Sequence, residues 1–412
     1  MASSTTPATA GRSDQQAPNQ SASIAISMFC VLLVSYVLMA GDRYLFPVLA
    51  ADIRKEFGFS ISTTGLLSTI FTLGLGLAGL PTGYLLARYS RKTVLLIGIA
   101  VFSGATALTT MAGGFGSMLV LLALQGIGMS MLATSMFALA AAYFSNNRAA
   151  AIGSVNFCYG LGGFLGPFVA GILRTTYDTW HAPMQAFGAF GFVMMVVIVA
   201  TVRPWFSETK QAAAAKQDQG GADSLMNRNT IILTVLSLIH GLSMYGFLGL
   251  YPTFLRENLH YTPKDAGTVI GMFGVGALAS IFGGWLGDRL SPKLMLCGSL
   301  LSVSALGFVF YQEDLSMFAR EVLTCIYGVT GSAILYVNLA GGHVKALRRS
   351  LSSKGSGMFV TSLYAGAAFG GYLLGALQTS FGWQTASQIE MSLMCLIGAG
   401  LALMIKPSEM SL

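Results

Sequence analysis

The chain has 412 residues, 54% of them hydrophobic and 9% charged, with a mean hydropathy of +0.67 and a net charge of +7. Soluble domains carry about 25% charged residues, so this composition excludes a water-soluble fold and points to an all-α polytopic membrane protein. The 5 cysteines lie in apolar stretches without C-x-x-C or other ligand spacing, which reads as small buried hydrophobes and implies neither metal nor redox cofactor.

Residues 1–23, rich in Ser, Thr, Ala, Gln and Pro, have neither the basic start nor the cleavage site of a signal peptide and are expected to be a disordered cytoplasmic tail. Apolar stretches long enough to cross about 30 Å of hydrocarbon then follow at 24–49, 64–87, 93–112, 115–143, 149–173 and 184–202. They resume at 230–251, 265–287, 294–311, 317–341, 355–378 and 385–405. The pattern predicts a six-helix bundle over 24–203, a cytoplasmic linker over 204–229, a second six-helix bundle over 230–406, and a tail over 407–412. With both termini inside, most of the 23 Lys and Arg residues collect on the cytoplasmic side, which accounts for the net charge without nucleic-acid binding.

The first run is interrupted by Asp42-Arg43, followed by Pro47 and the charged stretch Asp52–Gly58, which reads as an external loop. Ionisable residues at membrane depth cost several kcal/mol unless paired or facing a water-filled cavity. Dehydration and a neighbouring guanidinium push a carboxylate's protonation in opposite senses, so access to water and solute can toggle Asp42. The alternative is a fixed ion pair at the outer interface with Arg43 reaching toward headgroups. His240 on the seventh helix titrates near neutrality when unperturbed and is expected to face the same cavity. Tyr36, Gln125, Asn156, Tyr159, Tyr245, Tyr336, Asn338 and Tyr364 offer further hydroxyls and amides. Arg320 and Glu390 are expected at the outer interface, and His343 in a solvated basic loop.

The two halves repeat. Gly83-Tyr84-Leu85-Leu86-Ala87-Arg88-Tyr89-Ser90-Arg91-Lys92 aligns without a gap on Gly284-Trp285-Leu286-Gly287-Asp288-Arg289-Leu290-Ser291-Pro292-Lys293. Repeats of this kind place a binding site between the halves near the bilayer midplane. Glycines concentrate on the second, fifth, eighth and eleventh helices, where small residues allow two bodies to approach closely.

On these residues the chain resembles the major facilitator superfamily over nearly its whole length. The loop motif Gly-x-x-x-Asp-Arg-x-Gly-Arg-Arg/Lys is met by Gly284, Asp288, Arg289 and Lys293, and in the first half by Gly83, Arg88, Arg91 and Lys92, with Ala87 in place of the acid. The fifth-helix pattern is met by Gly162, Gly166, Pro167 and Gly171, and the fourth-helix pattern keeps Gln125-Gly126 but has Leu122 for its arginine. Asp-Arg in the first helix followed by Lys-Glu-Phe-Gly is similar to the anion:cation symporter and spinster-like branches. The resemblance implies the major facilitator fold, contacts of helix two with eleven and five with eight across the gap, and alternating access. It also implies Asp42 as proton-coupling residue and Arg43 as substrate or ion-pair partner; by their depth in the helices His240, Tyr36, Tyr245, Asn156 and Tyr364 are expected to join Arg43 in binding the solute.

No phosphate-binding loop, His-Glu-x-x-His or dinucleotide fingerprint occurs. The expectation is a monomeric, ion-driven transporter, not an enzyme, in a bacterial inner membrane, with protons, lipid and a small anionic, zwitterionic or amphiphilic solute as partners. Efflux of hydrophobic drugs is the alternative, and a non-transporting sensor on the same fold a remote one.

Overall fold

The computed structural model describes residues 17–144, 148–208, 221–348 and 351–410. The start of the expected tail, the middle of the expected linker and the last two residues lie outside this set, as do the side chains of Ala87, Arg148 and Asp288. Ten helical stretches among the described residues are long and apolar enough to cross a membrane. The longest, Lys354–Ala402, breaks at Gly382 (φ 80°) into two passes, and Pro263–Arg289 adds another, giving the expected twelve.

The first pass is α1 (Ala17–Asp42) and α2 (Leu45–Phe57). Pro47 has no N–H for the Arg43 carbonyl, so the helix loses its register between them. Tyr44 bonds back to Gly41 at 3.1 Å before α2 resumes. The stretch expected as a charged loop is instead the last turns of α2, closed by Gly58 in the left-handed conformation (φ 69°). The second pass comprises α3 (Ile61–Thr69) and α4 (Phe71–Arg88), and α5 (Arg91–Thr109), α6 (Phe115–Tyr143), α7 (Arg148–Tyr177) and α8 (His181–Thr201) complete the first bundle.

A short α9 (Pro204–Ser207) leads to Glu208, whose carboxylate accepts from the N–H groups of Arg91 (3.0 Å) and Lys92 (3.2 Å) and so caps α5. Lys92 Nζ in turn donates to the Val199 and Val202 carbonyls at the end of α8.

The second bundle runs α10 (Arg228–Glu257), α11 (Pro263–Ala277), α12 (Ser280–Arg289), α13 (Pro292–Val309), α14 (Met317–Tyr327), α15 (Val337–Lys345), α16 (Ser352–Ser387) and α17 (Met394–Ala402). π-helical segments, Gly328–Tyr336 and Gln388–Leu393, join α14 to α15 and α16 to α17. Ahead of α10, Ala222 forms an isolated bridge with Leu347. The internal repeat has a local cause: Ser90 and Ser291, at equivalent positions, accept from Thr93 N–H and Leu294 N–H and start α5 and α13 alike. Large apolar side chains at heptad spacing, Leu294, Leu301 and Phe308, are left exposed along α13, as a lipid-facing surface requires.

The halves meet through backbone. Gly65 of α3 and Gly371 of α16 lie so close that a Cβ on either would overlap the other's carbonyl, and Thr69 Oγ1 donates to the Ala368 carbonyl at 2.9 Å. On the other flank Gly171 of α7 stands against Pro263, and Gly267 of α11 against the Pro167 carbonyl. These are the expected pairings of helix two with eleven and five with eight. The same end carries ion pairs. Asp52 accepts both terminal nitrogens of Arg256 from the other half and Arg174 Nη2 at 2.9 Å, and Arg54 pairs with Glu257 at 2.7 Å. Toward the loop-motif end nothing lies within 4 Å of a Cβ built on Gly79, Gly83 or Gly357, and Tyr84 is 80% exposed. The halves are shut at the Asp52 end and part at the other.

Asp52→Asn removes the charge from hydrogen bonds worth ~1.5–3 kcal/mol each. With ~1.4 kcal/mol per tenfold, labelling of a cysteine at buried Ser68 by an impermeant maleimide, with the native cysteines replaced, is expected to quicken at least roughly tenfold. Gly371→Ala is expected to open the same end, since its methyl group obstructs Gly65, while leaving helix content unchanged by circular dichroism. Unchanged labelling in both variants would show that neither contact holds this end shut.

Candidate functional site between the halves

The site starts from Gly41. A methyl group there would stand 3.1 Å from Gly166 Cα and 3.3 Å from the Gly162 carbonyl, so the end of α1 lies directly on α7. Two glycines of the fifth-helix pattern therefore seat α1 within the first half, while Gly171 serves the contact between halves.

The next two residues diverge. Asp42 turns into the first half, 2% exposed, where its Oδ2 accepts from Thr106 Oγ1 (2.8 Å, α5) and Gln125 Nε2 (2.7 Å, α6). Gln125 also donates to Thr106 Oγ1 at 3.0 Å, and Asp42 Oδ1 is buried without a partner. Arg43 turns the opposite way, into the gap. Its Nη2 donates to the Tyr245 hydroxyl on α10, and its guanidinium lies 5.4, 5.2 and 5.9 Å from the ring centres of Phe71, Tyr159 and Tyr245.

The alternative of a fixed Asp42–Arg43 pair reaching toward headgroups does not hold. Neither residue is at the surface, and among the described residues Arg43 has no carboxylate partner. Burying a cation without a counter-charge costs several kcal/mol. The three rings return part of that cost through cation–π attraction.

Tyrosines complete the surround. Tyr44 joins Tyr159 and Tyr245 around Arg43, and Tyr336 packs edge-on to Phe359 at 5.1 Å. The Tyr364 ring stands 6.3 Å from that of Tyr245, and Tyr36 packs edge-on to Phe137 at 6.2 Å. A void of about 10 Å³ is left among Arg43, Tyr44, Pro47, Ser68, Phe71, Tyr159, Tyr245, Leu248 and Gly249, which is water-sized. Room for a solute must come from the parted end.

Not every expected residue joins. His240 is fully buried with no partner for either ring nitrogen, on the α10 face of Ser243 and Phe247 instead of that of Tyr245. It belongs to the interior of the second half, not to the gap. Asn156 is exposed, one and two turns from Gly160 and Gly163 on the α7 face that meets the second half.

In the loop motifs Arg88 is exposed, Arg91 Nη1 donates to the Ser207 carbonyl at 3.2 Å, and Arg289 stacks 4.3 Å over Trp285. A Cβ built on Gly83 or Gly284 would meet nothing from the opposite half within 4 Å among the described residues, and the side chain of Asp288 lies outside that set. His343, expected in a solvated loop, is fully buried in α15. Arg320 and Glu390, expected at the outer interface, are both buried within the protein, 0% exposed. Arg320 donates to the Phe310 (3.0 Å), Gln312 (2.6 Å) and Glu313 (3.3 Å) carbonyls, closing the end of α13.

Thr106 and the Asp52, Arg174, Arg256 cluster were not expected. Thr106 shares the buried face of α5 with Ser103 and Thr109, so nothing in the sequence singles it out, and the cluster joins residues far apart in sequence; Gln125 was expected among the cavity's amides, not as a partner of Asp42. Among the described residues no three His, Cys, Asp or Glu gather as metal ligands.

The family model described as Major Facilitator Superfamily matches residues 31–371 and 233–411. The chain is 24% identical over 335 residues to a hexuronate transporter of Bacillus subtilis (strain 168), covering 77% of each protein. It is 23% identical over 289 residues to a fosmidomycin resistance protein of Escherichia coli (strain K12), covering 69% of each. Among solved structures, a bacterial homologue of the human lysosomal transporter spinster, inward-facing and occupied, superposes with TM-score 0.73 at 17% identity, covering 94% of this chain and 97% of that one. A twelve-pass helical membrane protein whose halves close on glycine at one end, and whose sequence matches that model over most of its length, belongs to the Major Facilitator Superfamily of transporters.

Proposed function

We propose that this protein is a secondary transporter of a small organic anion, working by alternating access and driven by protons through Asp42. The observation that carries the reading is Arg43, a guanidinium in the gap between the halves, held by a hydroxyl and aromatic faces and, among the described residues, paired with no carboxylate. Such a group binds a carboxylate or phosphate with little rearrangement, because its orientation is already fixed. The surrounding tyrosines favour a solute with a flat or ring-shaped body that stacks and accepts hydrogen bonds. The relative named as a hexuronate transporter supports an anionic cargo.

Asp42 is one residue from Arg43, yet bonds to α5 and α6 of its own half. Its partner-free Oδ1 is the atom that takes the proton, drawn from water on the side to which the halves have parted. Protonation there and anion binding at Arg43 change charge on consecutive residues at one helix break, so each event alters the electrostatic cost of the other. The basic loop-motif residues Arg88, Arg91, Lys92, Arg289 and Lys293 support a cytoplasmic position for that end, and on this reading the conformation described opens inward. The protein works as a monomer, because both faces of the gap come from one chain.

Export of a drug is the second reading, supported by the fifth-helix pattern and by the relative named for fosmidomycin resistance. Expression that lowers cell-associated solute favours it, and expression that raises it favours uptake.

Purified protein is expected to be stabilised by hexuronates and aromatic carboxylates in a thermal-shift screen. Arg43→Gln is expected to weaken the stabilising ligands roughly 10- to 100-fold, the worth of about 1.5–3 kcal/mol for a charged hydrogen bond. Arg43→Lys is not expected to restore them, since a point charge cannot reproduce the planar fork. Stabilisation by cationic drugs alone would refute the anion reading.

Asp42→Asn is expected to abolish proton-driven accumulation in proteoliposomes while sparing exchange of labelled for unlabelled solute. Persistent uphill uptake in that variant would exclude Asp42 as the coupling group.

A further inference from the structure

The second half buries a carboxyl group of its own. Glu390 lies in the π-helical segment Gln388–Leu393, 0% exposed, and neither of its oxygens has a hydrogen-bond partner. It abuts α10 at Gly246, where an added Cβ would overlap its Oε1, so only bare backbone separates the carboxyl group from that helix. π segments turn an extra residue into the helix and recur at functional sites.

The titratable groups near enough to feel a charge on Glu390 are Tyr311 beyond the end of α13, Tyr327 of α14 and Cys395 of α17. From α10 come Gly246 and Ser243, the latter within 3.7 Å of the Cys395 sulfur. From α16 come the Gly370 carbonyl and Ser387, whose hydroxyl bonds to the Gly307 carbonyl at 2.7 Å. None of these is a cation. Arg320, a buried cation of the same half, is taken up by backbone carbonyls and Tyr251. A carboxylate without water or a partner is costly by several kcal/mol, whereas the neutral acid in the same place is not.

α10 ties this group to the rest of the molecule. Tyr245, the residue before Gly246, meets Arg43, and Arg256 and Glu257 at the far end of α10 hold the closed end through Asp52 and Arg54. Between them lies Pro252, where a helix can bend. We propose that Glu390 is a second proton-binding site, loaded in the conformation described and opened to water when the far end of α10 bends away as the Asp52 clasp releases. The carboxylate takes one proton from water and returns it to water, and no other bond changes. The proposal does not rest on Asp42 being the coupling group.

The test is infrared spectroscopy of the full-length protein in lipid, titrated with pH. At neutral pH the spectrum is expected to contain the carbonyl stretch of a protonated carboxylic acid that disappears in Glu390→Gln, moves in Glu390→Asp and persists in Asp42→Asn. No such band in the wild type, or one lost equally in the Gln and Asp variants, overturns the assignment. Loss of the band in Asp42→Asn overturns it too, by reassigning the band to Asp42. In Asp52→Asn the band is expected to titrate away at a pH lower by about one unit, a tenfold change in proton affinity. A titration identical to wild type overturns the link to the clasp.

Discussion

A buried guanidinium with no carboxylate partner among the described residues is the constraint around which this molecule is arranged. Arg43 keeps that position because Pro47 breaks the first helix just beyond it and Gly41 lies flat against α7 just before it. The aromatic faces of Phe71, Tyr159 and Tyr245 come from both halves, so the groups that tolerate the charge are drawn from the two bodies that must separate. Any motion that parts the halves therefore changes the solvation of Arg43.

The closed end relies on a different kind of contact. Gly65 against Gly371 and Gly267 against Pro167 bring backbone to backbone without interlocked side chains. Such surfaces slide and separate at little cost, because almost no rotamer order is lost or gained. Directional strength is supplied by the partly buried charges, with Asp52 shared between an arginine of its own half and one of the opposite half. That division of labour leaves the closed state dependent on a few polar bonds that rehydrate once water enters.

The twelve passes were legible in the sequence because each needs about 20 apolar residues, and the gap was legible because Asp42-Arg43 is too expensive to place at that depth without a purpose. Orientation around each helix was not. In water a helix declares its buried face by the polar residues opposite it, but in lipid the outward face is as apolar as the core. Nothing in the letters around His240 separates the face of Tyr245 from that of Phe247, and the places of Glu390 and Arg320 toward the outer ends of their passes do not tell that both side chains turn inward. The charged residues from Asp52 to Glu56 read as loop by composition, yet they continue α2 because their partners, Arg174, Arg256 and Trp180, arrive from distant parts of the chain.

The connection between the halves is fastened at each of its ends: Glu208 sits on the start of α5, and Ala222 pairs beside Leu347 near the end of α15. From Glu208 to Ala222 the chain has fourteen residue steps, which fully extended reach no more than about 50 Å. This crossing sets an upper bound on how wide the loop-motif end can spread in any part of the cycle. It also makes anchor-to-anchor length a variable that evolution can adjust to the girth of the cargo without altering a single residue that touches it.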